Sequence, residues 1–102
     1  MTLMLLLACA DPADDPGVAA VLDLQGVVVD GAAVFAESCT ACHGPDAKGN
    51  EAGPDLVDKL TRREDAEVVE TILYGGLGQM GAYEDILADQ EVADVLAWLR
   101  TL

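Results

Sequence analysis

With 102 residues the chain has room for one domain built on one core, and too few for two. A formal charge of -14 and an isoelectric point near 4.1 exclude binding to nucleic acid, or to anionic lipid through a basic patch, because both surfaces repel such a field. The apolar fraction of 52% is ample for a core, yet only Phe35, Tyr74, Tyr83 and Trp98 are aromatic, a shortage that one large buried cofactor would fill.

The chain opens on an apolar run, Met1 to Ala8, that ends at Cys9. Eight residues fall far short of the roughly 20 that cross a bilayer. The sequence Leu6-Leu7-Ala8-Cys9, followed by an acidic run with prolines, resembles a bacterial lipoprotein signal, which implies a signal segment over 1–8 and a lipid on Cys9. No Lys or Arg precedes the apolar run, and a free-thiol or intermolecular disulfide role for Cys9 stays open. Ala10 to Gly17 combine two prolines, three aspartates and a glycine, a composition that does not bury itself. Residues 9–30 therefore read as a lipidated tether with a short lead-in, and 31–102 as the folded domain. Within the lead-in, Val18 to Leu24 fits two helical turns with Val18, Val21 and Leu22 on one side. Val27-Val28-Val29 reads as a short extended piece ending at Asp30-Gly31.

From Asp30 the signals sharpen. Asp30 is placed to cap a helix that carries Val34 and Phe35 and leads into Cys39 and Cys42, before a turn at His43-Gly44-Pro45. Gly44 to Lys59 holds three glycines and two prolines with no helical or strand period, so it reads as loop. Thr61-Arg62-Arg63-Glu64 fits a capping box opening a helix in which Val68, Val69, Ile72 and Leu73 share a face until Gly75-Gly76 stops it. A second glycine-rich loop runs from Gly75 to Gly81. The last helix begins near Asp89, with Val92, Val95, Leu96 and Leu99 on one face and Trp98 beside it. No segment reads as a paired strand. The expected class is all-α, with three main helices and two long loops whose ordering a packed ligand would support. The five cations, Lys48, Lys59, Arg62, Arg63 and Arg100, are expected mostly in solvent.

Cys39-Thr40-Ala41-Cys42-His43 is the C-x-x-C-H pattern of covalent haem attachment. Two cysteines three positions apart present sulfurs on one side, where each can add to a haem vinyl group, and the next residue projects its imidazole toward the iron. In a chain with so few Cys and His, chance produces the pattern on the order of once in a thousand such sequences. Zinc needs two further ligands, and Cys9 is the only other Cys or His. A redox dithiol needs a βαβ setting that the chain does not offer. A Cys39–Cys42 disulfide leaves His43 unexplained.

From Gly31 onward the chain resembles the small bacterial class I cytochrome c domain. Gly31 and Phe35 match the family's first helix, Cys39 to His43 its haem motif, and Gly53-Pro54-Asp55-Leu56 its Gly-Pro-x-Leu segment. The resemblance implies a cytochrome c fold wrapped around one covalent haem c, and a Pro54 carbonyl that accepts a hydrogen bond from Nδ1 of His43. Leu56 would pack on the haem or serve as ordinary core. The sixth ligand follows by elimination: beyond Met1 and Met4 the one methionine is Met80, 37 residues after His43 in the second loop. Family members commonly carry methionine-proline there, where this chain has Met80-Gly81. Trp98, on the last helix, should cross the Gly31 helix. The implied function is one-electron transfer by His/Met-ligated haem between redox partners with a basic face, on the periplasmic side of a bacterial envelope. Such a protein is a carrier and not an enzyme. A haem-based gas or small-ligand sensor with a displaceable sixth ligand, and a subunit admitting electrons to a larger envelope oxidoreductase, are the alternatives.

Overall fold

The computed structural model describes residues 11–76 and 80–102. The expected signal segment and Cys9 lie outside the described residues. A 3-10 turn, Pro12–Asp14, leads into α1 (Pro16–Leu22), followed by α2 (Val28–Ser38), the single turn α3 (Thr40–His43), α4 (Leu56–Leu60), α5 (Asp65–Tyr74) and α6 (Asp89–Leu99). The described residues contain no strand, only an isolated bridge between Asn50 and Gly53. The all-α expectation holds, with α2, α5 and α6 as the main helices.

The core is organised by the crossing of α2 and α6, the most extensive helix pairing in the chain. At Gly31 a side chain is impossible: an added Cβ would run into the carbonyl of Asp94 and stand 3.0 Å from Cβ of Trp98. Close approach lets Phe35 and Trp98 stack with ring centroids 4.6 Å apart and planes tilted by 36°, a geometry that adds to plain burial. Val92, Val95 and Leu99 of α6 and Val68, Val69 and Leu73 of α5 complete the core. The expected crossing of the Trp98 helix over Gly31 is observed.

Val18 and Val21 of the lead-in are as deeply buried as any residue, at 0% and 1% exposure. α1 forms because Asp15 accepts the Val18 N–H at 3.1 Å and Pro16 presets the first turn. It packs on α5 and α6.

Three local expectations are corrected. Val28 and Val29 are not extended; they begin α2, with Val27 as its cap residue and Asp30 inside the first turn. The carboxylate serving this end comes from α6, where buried Asp94 accepts the Val27 N–H at 2.8 Å. Gln90 steadies it by donating to Asp94 and to the Gln25 carbonyl. The expected loop 44–59 contains α4, started by Asp55, whose carboxylate accepts from the N–H groups of Val57 and Asp58. The capping box sits three residues later than expected, with the Glu64 N–H donating to Glu67. Thr61 is already engaged at the end of α4, its hydroxyl donating to the Asp58 carbonyl.

Arg100 is not a free surface cation. Its guanidinium donates to Asp65 and to the carbonyls of Leu60 and Arg63, each at 2.7 Å, clasping the end of α6 to the α4–α5 junction. At the opposite side the Tyr74 hydroxyl donates to Asp15 at 2.6 Å, tying α1 to the end of α5.

Gly31→Ala forces α2 and α6 apart and is expected to cost about 1–3 kcal/mol, read as a lower denaturant midpoint in urea titration. The Tyr74–Asp15 bond predicts a pH dependence. It holds Asp15 below the usual carboxylate range, with the Val18 N–H adding to the effect, and it pushes Tyr74 up to about 12, with burial adding. The depressed carboxyl stabilises above its unfolded pKa and loses that contribution as pH falls through the folded value; the raised phenol stabilises below its unfolded pKa and loses it as pH climbs toward 12. Tyr74→Phe should therefore lower the melting temperature relative to the parent between about pH 5 and pH 9, with the gap closing at both extremes.

Candidate functional site

α2 does not run through the haem-attachment motif. It ends at Ser38, and Cys39 stands at the break with φ -120° and ψ -23°, capping the next turn. Cys39 is half-buried against the core, Cys42 is exposed, and the two are not bridged. Burial, and then neighbouring Cys42, push the Cys39 thiol up to about 11. His43, the last residue of α3, is buried at 9% exposure.

The chain can turn away from His43 because Gly44 takes φ +78°, a left-handed value that glycine adopts without strain. The loop then folds back under the motif. The Gly49 N–H donates to the His43 carbonyl at 2.8 Å, the Asn50 side chain donates to the Ala41 carbonyl at 3.2 Å, and buried Ala47 accepts from the Leu56 N–H at 2.8 Å. This brings Pro54 to His43, whose Nδ1 lies 3.3 Å from the Pro54 carbonyl. A carbonyl only accepts, so Nδ1 carries the proton and Nε2 keeps its lone pair free for a metal. Gly53 permits this approach: a Cβ there would lie 2.5 Å from the Cys42 carbonyl and 3.2 Å from Nδ1 of His43.

The structure thus brings together Cys39, Cys42, His43 and Pro54, as expected, and adds Asn50 and Gly53. Leu56 is half-buried and packs against the protein core. Met80 is half-buried in the other loop, its backbone lying against Gly75 and its side chain close to Gly76, and its recorded contacts are with the end of α5. That loop is closed by Tyr83, whose N–H donates to the Ile72 carbonyl and whose hydroxyl donates to the Ser38 carbonyl at 3.3 Å. Burial raises the Tyr83 phenol above its ordinary range, with Cys39 and Cys42 adding to the rise. Asn50 and Tyr83 were not anticipated. The side chain of each donates to a backbone carbonyl of the motif region, Ala41 and Ser38, a pairing no spacing rule encodes.

These residues fit haem. Among the described residues no three His, Cys, Asp or Glu side chains converge as a bare metal site would require. The donor set instead offers two unpaired thiols and one imidazole, held at Nδ1 with Nε2 available. When bound, the cofactor supplies a one-electron iron couple.

Fold and site together define a small helical domain for a covalently attached haem. The family model described as cytochrome c oxidase, cbb3-type, subunit III matches residues 26–99. A cytochrome c-553-like protein of Synechocystis is 36% identical over 88 residues, covering 86% of this chain and 81% of that protein. The cbb3-type cytochrome c oxidase subunit FixP of a Bradyrhizobium is 42% identical over 76 residues, 71% of this chain. The chain spans about a quarter of that subunit's length, 26%. The crystal structure of cytochrome cL from Hyphomicrobium denitrificans superposes with a TM-score of 0.66 at 28% identity, covering 91% of this chain and 62% of that one. The chain belongs to the class I c-type cytochrome family, and its domain is an electron-transfer module that binds one haem c covalently.

Gly53→Ala pushes the Pro54 segment away from His43. The haem-loaded variant is expected to lose about 1–3 kcal/mol of stability and, with the Nδ1 hydrogen bond lost and the imidazole a weaker donor to iron, to show a raised reduction potential. Denaturant titration and spectroelectrochemistry measure the two.

Proposed function

We propose that this protein carries single electrons on a haem attached through Cys39 and Cys42, with His43 and Met80 as the two ligands of its iron. The observation that carries the reading is the His43 imidazole, fixed by the Pro54 carbonyl directly after two unpaired thiols. In this reading Pro54 sets the tautomer of His43 and leaves Nε2 to donate to the iron, and burial of the ring excludes water from that side. Leu56 contributes to the apolar packing around the site. Met80 supplies a soft thioether and leaves no open position for substrate, which favours a carrier over a sensor and raises the potential.

Redox proteins are the partners of such a domain. The net charge of -14 favours a partner with a basic docking face, drawn in by an attraction that salt screens. Location on the periplasmic side of a bacterial envelope follows from the chemistry of haem attachment together with the signal-like start. In that arrangement residues 1–8 form the signal, Cys9 carries the lipid, and 9–30 form a tether and lead-in whose helix α1 packs on the cytochrome domain of 31–102. No described helix is long and apolar enough to cross a membrane. The match to the cbb3-type subunit model supports a second reading, in which the same electron transfer serves a larger oxidase.

The oxidised protein is expected to show a sulfur-to-iron charge-transfer band, and Met80→Ala is expected to abolish it, to open the iron to carbon monoxide and to lower the potential by on the order of 0.1 V or more. A wild-type protein that is high-spin and binds carbon monoxide as readily as Met80→Ala would make it a sensor.

A further inference from the structure

The break between α2 and α3 creates an unpaired backbone group beside the haem motif. In a continuous helix the Ser38 carbonyl would accept from the N–H of Cys42, four residues on. Here the Cys42 N–H turns to the Cys39 carbonyl instead, at 3.3 Å, and so does that of His43, at 3.0 Å. Among the described residues the one hydrogen bond recorded to the Ser38 carbonyl comes from Tyr83, 45 positions away. The Tyr83 ring is half-buried against the core, so the hydroxyl is held where it is by packing and does not reach across from solvent.

The backbone of Tyr83 is fixed as firmly as its side chain. Its N–H donates to the Ile72 carbonyl at 3.0 Å and that of Glu84 to the Leu73 carbonyl at 3.1 Å, so two carbonyls of the last turn of α5 are paired by the returning chain. The Tyr83 carbonyl in turn accepts from the N–H groups of Ile86 and Leu87. Between this anchor and the end of α5 lies the loop that holds Met80, three residues before Tyr83. One residue therefore joins the methionine loop to the peptide group immediately before Cys39.

We propose that Tyr83 is a positioning residue for the methionine ligand, its hydroxyl locking the chain that follows Met80 to the broken end of α2, at the peptide group that leads into Cys39. The proposal rests on the reading of Met80 as sixth ligand. The lock matters in this chain because glycine, the residue with the freest backbone, follows Met80 directly at Gly81. With Tyr83 bonded, the thioether is held against competing ligands. Without the bond, an external ligand displaces it more readily.

Tyr83→Phe keeps the ring and removes only the hydroxyl. In the haem-loaded oxidised protein it is expected to raise the affinity for added imidazole by roughly two- to ten-fold, the effect of one net hydrogen bond, to lower the reduction potential, and to speed amide exchange at Tyr83 and Glu84. Arg100→Ala serves as the control, since it removes a clasp on the other junction of the fold. It should lower the melting temperature and leave imidazole affinity unchanged. Equal imidazole affinity in Tyr83→Phe and the parent, with the sulfur-to-iron band present in both, overturns this proposal alone. A rise in affinity of the same size in Arg100→Ala also overturns it, because loosening would then be global. A parent protein without the band overturns the Met80 reading and this one with it.

Discussion

At Gly31 the backbones of α2 and α6 meet with no side chain between them, and the start of α2, the aromatic stack and the delivery of the motif depend on that contact. The crossing puts the Asp94 carboxylate at the start of α2, where it takes the Val27 N–H. Eleven residues later the same helix delivers Ser38 and Cys39 to the site. Phe35 and Trp98, half of the chain's aromatic residues, stack beside the crossing. A larger residue at 31 would therefore disturb the core, the helix start and the place from which the haem is held.

A chain this short buries a modest fraction of its surface and has little stability to spare. It compensates by pairing the loose ends of helices across long sequence distances. Asp94 serves the start of α2, Arg100 takes the carbonyls of Leu60 and Arg63, Tyr83 takes that of Ser38, and the N–H groups of Tyr83 and Glu84 take those of Ile72 and Leu73. Helix ends leave four donors or four acceptors unpaired, and short helices are mostly ends. In this fold the pairing of helix ends is tertiary structure, which is why so few aromatic residues suffice.

The same feature explains what could be read from the residues. α5 and α6 were legible because their apolar residues recur at helical spacing over three turns, and the haem motif because attachment chemistry needs its residues adjacent in sequence. Gly53-Pro54 was legible through the family pattern. The start of α2 was misread because its carboxylate lies 67 positions away. α4, at five residues, is too short to show a period. Thr61 was assigned to the start of one helix while its hydroxyl closes another. Tyr83 and Asn50 act on carbonyls, and a carbonyl has no identity in a sequence.

Under the proposed His43 and Met80 ligation the two sides of the site are held by different means, and the difference bears on electron transfer. The histidine side is built from short-range contacts: α3, the Gly49 and Asn50 hydrogen bonds and the Pro54 carbonyl all lie within about a dozen residues of His43, and they bond directly to the turn that carries it. Met80, the proposed second ligand, precedes Tyr83 by three residues, and Tyr83 is bonded through its N–H to the Ile72 carbonyl of α5. A carrier benefits from ligands that move little as charge changes, because preorganised groups need no reorganisation at the moment of transfer. On the histidine side that rigidity is local and comes with the motif. On the side proposed for Met80 it comes from elsewhere in the fold, and among the described residues Tyr83 bonds the chain after Met80 to the Ser38 carbonyl at the end of α2.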